Sequence, residues 1–254
     1  MLVIFSGCSG VGKNTVINEI LKNSDKFALL PTYTTRDKRP GETDGCPYHF
    51  ITDEVFKQKI EEGEFYEYES VHNHFYGTSR KLLEEKQKSG KILMKDIDVN
   101  GAVNLSRLLK DDIKIVTIFL YVENREILVE RLIGRGEKEI DLRMKRYELE
   151  MQKLPLYDYV IDNEKLETTV ELIERIIAFE SEGKSPTVSS ERLVGIDEEV
   201  AKEEAILREK NIGDPIAFGA VDGGFEVVDD IPRFVASENT GIKVARRAFF
   251  PQKQ

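Results

Sequence analysis

Cysteine is nearly absent: Cys8 and Cys46 are the two in 254 residues, too few for a disulfide framework, and both read as reduced thiols. Cys8 carries a second reading, because a thiol at a helix start has a lowered pKa and is open to oxidation. Long apolar runs are missing too. No stretch approaches the length of a membrane span, and residues 1–5 are too short for a signal-peptide core. The expected location is therefore the cytoplasm, with no membrane partner. Basic charge is in deficit, with 37 Lys and Arg against 47 Asp and Glu and a net charge of −10. That balance excludes a broad basic face, so nucleic acid is not an expected partner. No internal repeat is visible. What remains is 40% hydrophobic and 33% charged, enough for a real core inside a soluble surface, as one large domain or a main domain plus a small one.

The most informative segment is Ser6-Gly7-Cys8-Ser9-Gly10-Val11-Gly12-Lys13-Asn14-Thr15, directly after the apolar run Leu2-Val3-Ile4-Phe5. The pattern Gly-x-x-x-x-Gly-Lys falls on Gly7, Gly12 and Lys13, between a strand and a helix start. Glycines let the backbone of Ser9, Gly10, Val11 and Gly12 wrap so that successive N–H groups face phosphate oxygens, and Lys13 supplies a point charge. Nucleoside triphosphate binding is expected. Asn14 stands where Ser or Thr normally offers a hydroxyl to Mg²⁺. Its carboxamide oxygen can meet that hard cation, or water can fill the place, while Thr15 can donate to a phosphate.

Strands and helices alternate through the first 180 residues. Strand-like runs lie at 2–5, 91–95, 113–121 and 159–161, with helical periodicity at 13–22, 99–109, 125–133, 141–153 and 166–179. This is the pattern of an α/β fold, a parallel sheet with helices on both faces and its ligand crevice at the carboxyl ends of the strands. Residues 33–80, rich in Tyr, Thr, Gly and charge, interrupt the rhythm with short strand-like pieces at 48–51 and 64–69 and read as an inserted substrate-binding subdomain. Residues 181–190, small and polar, mark a linker. Beyond it come a charged helical stretch at 198–210, the turn Gly213-Asp214-Pro215, and two candidate strands at 216–220 and 225–228.

In the inserted segment, Arg36 and Arg39 sit three residues apart among hydroxyls. Arginine forks take a phosphate bidentately, which a lysine cannot; the plain alternative is two solvated surface arginines. Asp96 and Asp98 follow the strand Ile92-Leu93-Met94, and alternation sets them on the same side of the chain at its carboxyl edge. One of the two also suits a helix cap before Val99.

Residues 32–50 (TYTTRDKRPGETDGCPYHF), 64–79 (EFYEYESVHNHFYGTS) and 95–102 (KDIDVNGA), together with the phosphate loop, closely resemble guanylate kinases over residues 1–180. The resemblance implies a P-loop three-layer fold with a mixed GMP-binding subdomain at 33–80 and a helical lid at 134–145. It implies ATP and GMP as substrates, with dGMP as a further acceptor, and Mg²⁺ as cofactor. It places Arg36, Arg39, Tyr48 and Tyr76 on the GMP phosphate, and Glu67 on the N1–H and N2–H donors of guanine with Thr32 and Thr78 beside the base. Such donor–acceptor matching can discriminate about 10⁴-fold. Asp96, with Asn14, is assigned to Mg²⁺ and its waters, and Asp98 to the acceptor nucleotide. Arg131 and Asn163 are assigned to the ATP side, and Arg135 and Arg143 to the transferring phosphate. Arg143 is preferred to Arg146 because this lid is shorter than usual and Arg143 keeps the better spacing to Glu150. Lys13, Arg36, Arg135, Arg143 and Asp96 form the implied catalytic set. Ordinary ion pairs, Glu139 with Arg143 and Arg146 with Glu150, are the plain alternative for the helical arginines. Lys95 departs from the apolar residue usual in the family.

The implied reaction moves the γ-phosphoryl group of ATP to GMP, giving ADP and GDP. Two rival readings stand beside it: a catalytically weak guanylate kinase-like binding or regulatory module, and a kinase of another nucleoside monophosphate. The tail is separate. Residues 207–245 resemble, in degenerate form, ParB-type and sulfiredoxin-like domains through Pro215-Ile216, Gly224-Phe225, Arg233 and Ala236. Asp230-Ile231-Pro232 replaces the glycine and the basic or histidine pair of the phosphate turn, and Pro232 removes a backbone donor. Residues 191–254 are therefore expected to form a small α+β accessory domain with a structural or regulatory role and no catalysis, or a docking appendage.

Overall fold

A computed structural model describes residues 1–39, 41–71, 73–188, 190–209 and 214–251. Lys210 and Gly213, at the end of the expected tail helix and in the turn after it, lie outside the described residues. Contacts group the chain into two compact units, residues 1–6 with 13–117, and residues 7–12 with 118–254. The division does not follow the linker at 181–190.

The first unit starts with β1 (Leu2–Gly7), all six residues of which are buried. A continuous apolar run of this kind marks a strand covered on both faces, as parallel sheets require. In α1 (Lys13–Asn23), Val16, Ile17 and Ile20 are buried, the face that the helical spacing picks out. There follow β2 (Phe27–Leu29), β3 (Thr32–Thr34), β4 (Tyr48–Phe50), α2 (Asp53–Glu61), β5 (Phe65–Val71), β6 (His74–Ser79), α3 (Arg80–Gln87), β7 (Ile92–Asp96) and α4 (Val99–Leu109). Strands β1, β7 and β2 run parallel in that order. Phe5 is in register with Asp96, which sets the aspartate at the carboxyl end of β7.

A second, mixed sheet runs β4-β3-β6-β5, with β3 parallel to β4 and antiparallel to β6. Its core is aromatic: Phe56 of α2 stacks on Phe65 at 4.6 Å and on Phe75 at 5.3 Å. Gly77 permits that approach, since a Cβ there would lie 2.9 Å from the Phe56 ring. Helices α2 and α3 escape the periodicity reading because each buries one apolar side chain, Phe56 and Leu83 respectively. They are defined instead by hydroxyl N-caps: Thr52 accepts from Val55 N and Ser79 from Leu82 N. The pairing of β5 with β6 shifts register between Phe65 and Glu67. Such bulges re-aim side chains, and here the shift sets Glu67 opposite Thr78.

The second unit holds β8 (Ile115–Tyr121) from Ile118 on, α5 (Arg125–Gly134), α6 (Ile140–Met151), β9 (Tyr159–Asp162) and α7 (Leu166–Ser181). It also holds the tail, folded as α8 (Asp197–Arg208), β10 (Ile216–Val221), β11 (Gly224–Val227), α9 (Ile231–Thr240) and β12 (Arg246–Phe249). Its strands run β11-β10-β12-β9-β8, parallel except for the β10–β11 hairpin. The tail strands are thus not a sheet of their own, because β12 pairs with β9 through Arg246–Tyr159 and Arg247–Val160. The stretch expected as a free linker is pinned as well. Thr187 N donates to Phe225 O at 2.9 Å, and Thr187 O accepts from Val227 N at 2.9 Å. Pro232 falls in the first turn of α9, where a missing N–H costs nothing, and Arg233 pairs with Asp230 at 3.1 Å. Among the described residues no helix is long and apolar enough to cross a membrane.

Candidate active site

In the first unit, four polar side chains meet below the surface. Glu67 is 9% exposed and Lys95 is fully buried, with Thr32 and Thr78 buried beside them. The Thr78 hydroxyl donates to Glu67 Oε1 in a short hydrogen bond. The Lys95 Nζ donates to Thr32 Oγ1 at 2.7 Å. Burial pushes the Glu67 carboxyl up to about 7, against the opposing pull of Lys95 and Thr78. Burial likewise pushes the Lys95 ammonium down to about 8, while Glu67, Asp96 and Asp98 hold it up. Three of the four were expected beside a base. The part played by Lys95 was not expected.

The phosphate-binding candidates line the next stretch of the same unit. The Arg36 guanidinium lies 5.1 Å from the Tyr48 ring centroid and 5.5 Å from that of Phe50. Its Nη2 pairs with Glu42 Oε1 at 2.7 Å, and Nη1 donates to Asp37 O at 2.7 Å. Glu42 also accepts from Arg39 N at 2.8 Å, so one carboxylate braces the whole arginine loop. Burial of Glu42 works against its charge, but the bonds from Arg36 and Arg39 outweigh it and hold the carboxyl below its usual range. Glu42 is a functional candidate that the motif alone does not single out. Its position three residues past Arg39 in a polar loop was the signal available. Tyr48 and Tyr76 meet edge to face at 6.0 Å. Burial, with Asp96 adding, raises the Tyr48 phenol far above its usual range, so it stays a hydroxyl donor. The Arg39 side chain is exposed.

Asp98 proves to be the helix cap of the aspartate pair: its Oδ1 accepts from Asn100 N at 2.9 Å and from Gly101 N at 3.1 Å. Asp96 and Asn14 are both half-buried. Among the described residues no group of three or more His, Cys, Asp or Glu is placed to hold a metal. Asp96 and Asn14 each carry an oxygen of the hard kind that Mg²⁺ takes, a cation that keeps waters and binds mainly through nucleotide phosphates.

In the second unit, the phosphate loop takes the left-handed backbone that glycine permits. A Cβ on Gly7 would lie 2.0 Å from Leu120 O, so a side chain there is excluded. Asn163 ties the loop down through Nδ2 to Val11 O at 2.7 Å, and its buried Oδ1 has no hydrogen-bond partner. Arg131 donates to Asn163 O at 2.9 Å and to Glu164 O at 3.0 Å. The two residues expected on the ATP side thus brace the loop together. Cys8 is 1% exposed, its thiol directed at Tyr147 O at 3.9 Å, which removes the oxidation-prone reading. Arg135 caps α5 with an exposed side chain. Arg143 pairs with Glu137 at 3.0 Å, an ion pair within the lid segment like the plain alternative for the helical arginines. Ser9 is exposed; in the first unit, Thr15 is exposed and Lys13 opens α1, half-buried.

A glycine loop leaving the first strand of a parallel sheet, with polar residues gathered at the strand ends, defines the P-loop class of nucleotide-binding α/β proteins. The guanylate kinase family model matches residues 1–180. The guanylate kinase of Thermotoga maritima is 39% identical over 184 residues, covering 70% of this chain and 86% of that protein. The guanylate kinase of Helicobacter pylori is 42% identical over 175 residues, covering 68% and 84%. The crystal structure of guanylate kinase from Anaplasma phagocytophilum superposes with a TM-score of 0.58 at 29% identity, covering 71% of this chain and 85% of that one. The chain belongs to the guanylate kinase family, whose members are ATP:GMP phosphotransferases.

Proposed function

We propose that this chain moves the γ-phosphoryl group of ATP to GMP through the residues described above. The observation that carries the assignment is the buried Glu67–Thr78 and Thr32–Lys95 cluster in the same unit as Arg36, Tyr48 and Tyr76. Guanine pairs two adjacent donors with one acceptor, and a carboxylate flanked by hydroxyls is its complement. Arg36 turns its fork from Glu42 toward the acceptor phosphate, with Tyr48 and Tyr76 as hydroxyl donors and Arg39 completing the charge. The acceptor phosphate is already ionised at neutral pH, so no general base is needed.

On the donor side, the amides of residues 9–12 and Lys13 hold the β- and γ-phosphates. Asn163, whose Nδ2 holds the loop, stands on the adenine side. Arg135 and Arg143 neutralise the transferring group, a kind of contribution worth about 10³–10⁵ in rate. Asn14 and Asp96 would hold Mg²⁺, which when bound neutralises the charge on the β- and γ-phosphates.

ADP release from Mg·ATP with GMP, dGMP, AMP, UMP and CMP in turn tests the reading. Turnover is expected with GMP and dGMP, falling at least about 10²-fold in Arg36→Ala through loss of two charge-assisted bonds, and lost in Lys13→Ala. Intact ATP binding with no turnover on any acceptor would favour the binding-module alternative. Asn14→Ser is expected to raise turnover roughly threefold and lower the Mg²⁺ needed for half-maximal rate, since a hydroxyl suits the compact octahedral cation better. An unchanged Mg²⁺ titration rejects that role for Asn14.

A further inference from the structure

We propose that Lys95 is a specificity-determining positioning residue, which fixes the hydrogen-bond polarity of the base-reading cluster so that it accepts guanine and refuses adenine. The inference rests on the assignment of Glu67, Thr32 and Thr78 to the base. An ammonium can only donate. The 2.7 Å bond from Lys95 Nζ therefore makes Thr32 Oγ1 the acceptor, and the Thr32 hydroxyl proton must point elsewhere. The Thr78 hydroxyl has the opposite fate, its proton committed to Glu67 Oε1. The cluster is left presenting one donor, Thr32 O–H, and an acceptor edge made of Glu67 Oε2 and Thr78 Oγ1. Guanine offers the reverse set, an O6 acceptor beside the N1–H and N2–H donors. Adenine offers a donor where O6 stands and an acceptor where N1–H stands, so each meeting is like with like.

Without Lys95 nothing dictates this orientation. The Thr32 hydroxyl is free to rotate and accept, and Glu67 loses the positive charge that favours its ionised, acceptor-only form. A protonated Glu67 is a donor, which adenine N1 would take. The lysine is fully buried near the end of β7, one residue before Asp96, so it does not reach solvent. Burial of a charge at this depth is costly unless it is paired; here the Lys95 ammonium bonds Thr32 and is drawn most strongly by Glu67, with Asp96 and Asp98 adding.

The experiment measures kcat and KM for GMP and AMP in the wild type, Lys95→Met, Lys95→Gln, Thr32→Val and the double variant Lys95→Met with Thr32→Val. Melting curves and Mg·ATP affinity serve as fold controls. Lys95→Met is expected to raise the GMP KM about tenfold, one hydrogen bond's worth, with kcat within about threefold, and to lower the GMP:AMP preference by more than that. Lys95→Gln, which keeps an N–H for Thr32, is expected to recover part of the loss. The double variant is expected to match Thr32→Val rather than multiply the two effects. If Lys95→Met does not fold, Lys95→Leu takes its place with the same readouts. A GMP KM unmoved by either apolar substitution, or fully additive effects of Lys95 and Thr32, overturns the proposal. Thr32→Val with unchanged GMP and AMP kinetics would instead overturn the placement of the base, whatever Lys95 does.

Discussion

Glu67→Gln is expected to lower kcat/KM for GMP by about 10³-fold, two charge-assisted hydrogen bonds' worth, while AMP turnover changes far less. Glutamine keeps the size but not the polarity. With one carboxylate oxygen already bonded by the Thr78 hydroxyl, an amide that turns its NH₂ on guanine sets donor against donor, and one that turns it on Thr78 forces that hydroxyl to rotate and accept and leaves the guanine donors a single uncharged oxygen. The wild type should also show an acid limb in its pH profile. Because burial lifts the Glu67 carboxyl to about 7, lowering pH through that value protonates the acceptor before GMP arrives, and kcat/KM falls. The sign follows from which form binds: guanine needs the ionised carboxylate, so activity rises with pH. In Glu67→Gln this limb is expected to vanish, leaving the second ionisation of the GMP phosphate near about 6. A variant that keeps both the limb near 7 and its preference for GMP would remove Glu67 from base recognition.

Ending the chain after Glu182 is expected to lower the melting temperature by about 10 °C, from a loss of about 4 kcal/mol. Two contributions lead. Phe179, which meets Phe225 edge to face at 5.3 Å, would be uncovered at a cost of about 1.5–3 kcal/mol. The buried Tyr159 would lose Arg246, whose Nη1 donates to its hydroxyl at 3.0 Å and lies 3.4 Å from Glu180. The row of backbone groups on β9 that faces β12 would open as well, and an unpaired strand edge invites aggregation. KM for GMP should stay unchanged, because the base-reading cluster lies wholly in the first unit. Thermal melting of the two chains side by side decides it; coincident transitions would make residues 183–254 a passive appendage.

Much of this was legible in the chain itself. The apolar run 2–5 followed by glycines at 7, 10 and 12 announced a buried strand and a phosphate loop, because backbone wrapping leaves a local signature. The alternation of strand and helix periods up to 180 announced the α/β class. Glu67, Thr32 and Thr78 stand out only through their motif, since in isolation Glu67 is one of many acids in residues 61–69. What escaped was non-local. Lys95 is, by sequence, a departure from the apolar residue usual in the family, and only folding reveals that β7 carries it to Thr32, 63 residues away. Glu42 is one more charge in a polar loop by sequence, and its carboxylate braces Arg36 and Arg39 only in the folded chain. Strand β12 has no alternation of its own, with Arg246 and Arg247 in its first half, and is a strand because β9 and β10 flank it.

The bond from Asn163 to the Val11 carbonyl spans 152 residues of chain, and this has a consequence for how the protein is born. Until residue 163 has been made and released from the ribosome, the glycine loop lacks the side chain that ties it down. Contacts of such long separation form late and slowly. Nucleotide-binding competence therefore arrives only after most of the kinase region has left the ribosome, and a prematurely ended chain carries the phosphate-loop sequence without a braced loop.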